Sequence, residues 1–180
     1  MKLKQEQKAP NFSVTDIYGE SINLYEYYEG KIMLSFFRYA ECALCNLRIS
    51  EIKRYAEEFE KQRIKIIAVF QSEAKSLQNS ISSRHDFDFT IISDPEMKLY
   101  KQYGVKASWL KSLRTMSIRG FKAMKAASSK GFKLGGKVDG KFHQIPADFI
   151  IDENKRIEIA HYGNSIIDHL PLKDILNSVS

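Results

Sequence analysis

The period of the apolar positions changes several times along the chain, and each change marks an element. Residues 9–24 alternate apolar and polar around Tyr18-Gly19, the pattern of a short β-hairpin. Ile32 to Phe37 is an apolar run, as expected of a central strand buried on both faces. A helix is then predicted to about Arg63, with Ile52, Tyr55, Ala56 and Phe59 on its core-facing stripe. Ile64 to Phe70 reads as a second buried strand and 73–84 as a polar helix. Phe89 to Ile92 reads as a third strand, ended by Asp94-Pro95, and 95–103 as a short helix stopped by Gly104.

From about 106 to 141 the pattern is different. Trp109, Leu110, Leu113, Ile118, Phe121 and Met124 suggest one or two amphipathic helices with an apolar inner face and a solvated outer one. Residues 130–140 are glycine-rich and read as a loop. Gln144–Ile151 and Arg156–Tyr162 read as two strands joined by a turn at 152–155, and 171–179 as a closing helix that begins at Pro171. The first two central strands should pair parallel through a right-handed crossover, and the last two should form an antiparallel hairpin. The result is one α/β domain over 1–180, a mixed sheet flanked by helices, with an insertion at about 106–141.

Composition narrows the class. A chain of 180 residues with two cysteines can bury a core without staples, and two cysteines are too few for a secreted disulfide scaffold. The polar N-terminus lacks the apolar stretch of a secretory signal, and no run reaches the roughly 18 apolar residues of a membrane span. A cytoplasmic protein without a membrane partner is therefore expected. The net charge is +6, but nine basic residues and one acid lie between Ser108 and Lys141, so the remainder is slightly acidic. Basicity confined to one segment makes nucleic acid an unexpected partner.

The chemistry concentrates at Cys42 and Cys45. They are three residues apart, where an apolar strand hands over to a helix. A helix N-terminus carries unpaired N–H groups and partial positive charge, which favour thiolate over thiol. A Cys-X-X-Cys pair in that position can cycle between dithiol and disulfide. Glu41 beside Cys42 opposes ionisation. Arg38 either supports a thiolate or a peroxide oxygen, or reaches water from the strand end. A zinc site built from both thiolates with His161 or His169 stays open at this level. His85 and His143 carry no partner signal.

Three patches resemble the thioredoxin-like superfamily, and within it the redoxin group of alkyl hydroperoxide reductase, thiol-specific antioxidant and peroxiredoxin-like proteins. They are Ala9-Pro10-Asn11-Phe12 with Gly19 and Leu24, Phe36-Phe37-Arg38 leading into Cys42-Ala43-Leu44-Cys45, and Ile145 to Asp152. The resemblance covers the chain except 106–141. It implies a thioredoxin fold with a cis Pro146 whose neighbour Ile145 offers its backbone to an incoming thiol substrate. It implies a thiol-dependent oxidoreductase that reduces peroxides or protein disulfides without a bound cofactor. Electrons would come from a thiol reductant such as thioredoxin or glutathione, and a homodimer stays open. Peroxiredoxins carry Pro-x-x-x-Thr-x-x-Cys, where this chain has Arg38, Cys42 and Cys45. Two roles follow from that departure. Either Cys45 attacks peroxide and Cys42 resolves, or Cys42 attacks a disulfide and Cys45 resolves. Asp168-His169 also matches the peroxiredoxin-like branch, and a histidine there, or His161, could move protons. The rival reading is a thioredoxin-fold binding protein that works through its basic insertion.

Overall fold

The computed structural model describes residues 1–82 and 89–177. Strands β1 (Ser13–Thr15) and β2 (Ser21–Asn23) form the expected hairpin, with Gly19 at φ +94° in its turn. β3 (Lys31–Phe36) leads to helix α1 (Ala43–Arg54), followed by α2 (Ala56–Lys61) and β4 (Ile64–Phe70). α3 (Ala74–Leu77) runs into one π-helical turn over 78–82. β5 (Thr90–Ser93) and α4 (Lys98–Gln102) come next. α5 (Trp109–Leu113) and α6 (Ile118–Ser129) precede β6 (Ala147–Ile151), β7 (Ile157–Tyr162) and α7 (Leu172–Asn177).

The main sheet has the order β5-β4-β3-β6-β7. β3 pairs parallel with β4, β4 parallel with β5, and β6 runs antiparallel to both β3 and β7. This is the mixed sheet flanked by helices that the periodicity and the resemblance implied. Because successive side chains of a strand point to opposite faces, β3 serves two cores. Met33 and Phe37 pack with α1, α2 and α7 on one face, while Ile32, Leu34 and Phe36 pack with the hairpin and α4 on the other.

Several boundaries differ from the sequence expectation. The helix drawn to Arg63 breaks at Tyr55, whose φ of −108° and ψ of 14° leave the helical region, so α2 starts afresh. The polar helix at 73–84 is shortened to α3 and its π turn, and its end at 83 and 84 lies outside the described residues, as does His85. The end of the closing helix at 178 and 179 does too. Short helix α4 is held by Asp94, whose carboxylate accepts N–H bonds from Lys98 (2.9 Å) and Leu99 (2.8 Å).

The Ile145–Pro146 bond is trans, as are all peptide bonds among the described residues, which corrects the cis expectation. For X-Pro the trans form is favoured by about 0.5–1 kcal/mol unless the fold demands otherwise. Here it does not. The Pro146 carbonyl accepts the Gly163 N–H at 3.0 Å, and the Ile145 carbonyl accepts the Gln144 side-chain amide at 2.9 Å. Both carbonyls at this bond are thus already engaged within the chain.

The second correction concerns 106–141. Two helices form, but Trp109, Leu110, Leu113, Ile118 and Phe121 are exposed instead of packed into the core. Small residues make the inner contact: Ala127, with Ala123 beside it, meets Ala43 and Leu47 of α1. Gly120 is required at the start of α6, because a Cβ there would lie 1.6 Å from the Thr115 carbonyl oxygen.

Candidate active site

Cys42 is the N-cap of α1, and its sulfur accepts the Cys45 N–H at 3.3 Å. The turn before it is fixed on both sides. Ser72 at the end of β4 accepts the Ala40 N–H at 2.7 Å, and the Asn46 side chain donates to the carbonyls of Ala40 (2.8 Å) and Cys42 (3.0 Å). Behind it, the Tyr100 hydroxyl bonds the carbonyls of Phe37 (2.7 Å) and Val69 (3.0 Å), tying together the ends of β3 and β4. Both cysteines are free thiols and both are buried, Cys42 to 2 % exposure and Cys45 to 4 %.

Burial raises both thiols, yet the two diverge. For Cys42, a hydrogen bond with Cys45, the Arg38 charge and the N–H groups of Cys45 and Leu44 outweigh burial and bring the thiol down to about 6. Cys45 is pushed well above the usual thiol range, first by burial and then by its neighbour Cys42. At neutral pH one sulfur is a thiolate and the other a thiol.

Arg38 does not reach water; it is 5 % exposed. Its Nη2 donates to the Tyr39 hydroxyl at 2.8 Å, and its guanidinium lies over the rings of Tyr39 (4.9 Å) and Phe142 (5.0 Å). Burial disfavours its charge, but the two cysteines and Tyr39 outweigh this, so it stays cationic. Arg38 Nε is buried and has no partner among the described residues. Glu41, expected to oppose the Cys42 thiolate, turns to the loop instead and accepts the Lys137 N–H at 2.7 Å.

Arg38, Tyr39 and Cys42 border a cavity of about 380 Å³. Its other walls come mostly from the 106–141 segment and are apolar, including Leu113, Met124 and Val138. The glycine-rich loop closes one side as a strap. Besides the Glu41 bond, Ser72 donates to Asp139 at 2.5 Å, and Gln71 accepts the Lys141 N–H at 2.7 Å. The insertion therefore covers the dithiol, a relation that no local pattern could reveal.

Of the residues singled out in the sequence, Arg38, Cys42 and Cys45 come together. Ile145 and Pro146 line a different hollow, shared with Lys2, Lys111 and Tyr162. Each of the two late histidines is taken by a carboxylate. His161 Nε2 lies 3.4 Å from Asp168, and His169 Nδ1 lies 3.1 Å from Asp148. Among the described residues no group of three or more His, Cys, Asp or Glu is placed to hold a metal ion.

Asp148 was missed. It is fully buried on β6, opposite Ser35 of β3, and accepts bonds from His169 and from the Leu170 N–H (2.7 Å). Burial raises its carboxyl, but His169, Arg48 and the Leu170 N–H outweigh this and hold it below the usual carboxylate range. His169 in turn packs against the Phe37 ring at 5.1 Å, and the Arg48 guanidinium bonds the Leu170 carbonyl. The signal was present: a charged residue inside an otherwise apolar strand, Ile145 to Ile151, needs a partner.

Comparison with known proteins bears on this geometry. The model of the AhpC/TSA family matches residues 6–160. Thiol-disulfide oxidoreductase ResA of Halalkalibacterium halodurans is 29 % identical over 100 residues, 56 % of either chain. Peroxiredoxin Bcp of Escherichia coli is 23 % identical over 103 residues, 57 % of this chain and 65 % of Bcp. The matched region thus spans less than two thirds of each relative. The crystal structure of peroxidoxin BcpB from Mycobacterium tuberculosis superposes with a TM-score of 0.71 at 17 % identity, covering 98 % of this chain and 96 % of that one, which shows a shared fold.

Proposed function

Because the chain belongs to the AhpC/TSA family, we propose that it is a thiol-dependent oxidoreductase that reduces small apolar hydroperoxides, with Cys42 as the attacking sulfur. The observation that carries this reading is the buried Cys42, lowered to about 6, on the wall of an apolar cavity beside the Arg38 charge. A thiolate enclosed in this way meets small molecules readily. A protein disulfide would first have to displace the strap that Glu41, Ser72 and Gln71 hold.

The Cys42 thiolate attacks one oxygen of the hydroperoxide, and the O–O bond breaks. The other oxygen leaves as an alkoxide, which takes a proton to become the alcohol, and Cys42 becomes a sulfenic acid. The Arg38 guanidinium, on the cavity wall, stabilises the negative charge as it passes to the leaving oxygen. The Cys45 thiol then attacks the sulfenic sulfur, water leaves, and a Cys42–Cys45 disulfide forms. An external thiol such as thioredoxin or glutathione returns the pair to the dithiol, as a reducing compartment like the cytoplasm allows. This exchanges the roles that the family spacing implied, in which Cys45 attacks peroxide.

The test is sulfenic-acid capture with dimedone after one equivalent of cumene hydroperoxide. A Cys45→Ser variant should be labelled at Cys42, and a Cys42→Ser variant should label far more slowly. Labelling at Cys45 in Cys42→Ser, with none at Cys42 in the other variant, would reverse the assignment. Brisk reduction of insulin disulfides with slow peroxide turnover would favour the disulfide-reductase reading.

A further inference from the structure

Large apolar side chains stand exposed on α5, α6 and the turn between them. Trp109, Leu110, Leu113, Met116, Ile118 and Phe121 are each 60 to 77 % exposed, within thirteen consecutive residues. Elsewhere among the described residues, outside 106–142, only Met1 and Tyr18 are large, apolar and exposed. Isolated exposed apolar residues need no explanation, but a concentration of this kind marks an interaction surface. α6 packs inward through Ala123 and Ala127, and none of the six exposed apolar side chains belongs to a core cluster.

The charge around these side chains is of one sign. Arg114, Arg119, Lys122 and Lys125 are exposed among them. The only acid from Ser108 to Lys141 is Asp139, and it is bonded to Ser72. A second copy of the chain would bring this positive face against itself, which disfavours self-association through it. A protein partner commonly presents both signs, and this face offers no free carboxylate to a partner's cations. An anionic lipid surface presents one sign over an apolar interior. It suits Trp, Phe and Leu that project outward while Lys and Arg stems hold their charges at the headgroups.

We infer that the α5–α6 face docks on an anionic lipid surface, with Leu110, Ile118 and Phe121 entering the headgroup boundary and Arg119 and Lys122 pairing with lipid phosphates. This revises the expectation that the chain has no membrane partner; the contact is peripheral, since no helix among the described residues is long and apolar enough to cross a bilayer. The cavity beside Cys42 has Trp109, Leu113 and Met116 in its walls, so docking brings it close to the lipid. The docking stands whatever oxidant the dithiol meets, because these five contact residues lie outside the cavity walls.

Trp109 is the only tryptophan in the chain and neighbours Leu110 on α5, so its emission reports on changes beside the docking residues. The full chain is titrated with vesicles of pure phosphatidylcholine and of phosphatidylcholine mixed with phosphatidylglycerol, with sedimentation as a parallel readout. The expected result is a blue shift and co-sedimentation with the anionic vesicles only, weakening as salt rises from about 0.1 to about 0.5 M. Arg119→Glu with Lys122→Glu should weaken binding about tenfold or more. Ile118→Ser with Phe121→Ser should abolish the blue shift. Both variants should keep the parent's melting temperature and its hydrogen peroxide turnover. Equal binding to neutral vesicles, or no binding to either, overturns the inference. So does a lipid-free shift that grows with protein concentration, which would indicate a second copy. A shift with an acidic amphipathic peptide but not with vesicles would assign the face to a protein instead.

Discussion

Ionisation of Cys42 makes the stability of the reduced protein depend on pH between 5 and 7. The perturbation is a change from pH 7 to pH 5, applied to the parent and to a Cys42→Ala variant. A thiol at about 6 in the folded chain, against 9.0 for the unperturbed group, binds fewer protons folded than unfolded. Its contribution is therefore complete above the unfolded value and is lost as pH falls through the folded one. Integrating between the two gives about 1.4 kcal/mol at pH 7 and nearly nothing at pH 5. Urea unfolding in a phosphine reductant at both pH values gives a double difference in which the cavity and packing effects of Cys42→Ala cancel. Cys45 does not disturb the window, because it titrates well above the usual thiol range. The parent should lose about 1.4 kcal/mol more than the variant. Thiolate absorbance at 240 nm should rise with a midpoint near 6 in the parent, and at a higher pH in Arg38→Met, which removes the adjacent positive charge. A double difference near zero, with no absorbance change below pH 8, would refute the assignment of the thiolate to Cys42.

Other outcomes follow from single contacts. Asp148→Asn leaves Arg48 and His169 without their buried carboxylate and should cost about 3 kcal/mol at pH 7, read by urea unfolding. Because the folded Asp148 carboxyl is held low, its contribution is present above the ordinary carboxylate range and fades only in stronger acid. Parent and Asp148→Asn stabilities should therefore begin to converge only below about pH 4, not between 5 and 7. Gly120→Ala should destabilise by about 1–3 kcal/mol, because the Thr115 carbonyl stands where the methyl must go; a melt unchanged from the parent's would contradict this. Met124→Trp should narrow the cavity and slow turnover of cumene hydroperoxide several-fold more than that of hydrogen peroxide, measured by steady-state rates with both oxidants.

Much of the frame was legible in the chain because it depends on local periodicity. The hairpin around Gly19, the buried strands β3 and β4, the β6–β7 hairpin and the placing of Cys42 at a helix start all rest on residues within a few positions of each other. The departures have a different origin. Tyr55 sat on a regular apolar stripe, and the pattern gave no sign that the helix would break there. Family likeness implies a cis Pro146, whereas its neighbours bond it well in trans. The apolar residues of 109–124 have helical spacing, and spacing alone says that they share a face, not which way that face points. In α6 the contact with α1 runs through Ala123 and Ala127 and leaves Ile118 and Phe121 exposed.

The order of apolar and polar residues was by itself enough to specify a mixed sheet with a dithiol at a strand-to-helix junction, because hydrogen-bonded periodicity is a short-range property. Which sulfur ionises was decided only in three dimensions. Burial, the Arg38 charge and the donors at the start of α1 act through space at a few ångströms, and they separate two thiols that the sequence presents as near equals. The cover over that site was likewise decided there, since Glu41, Gln71 and Ser72 meet a strap some 65 to 100 residues away along the chain.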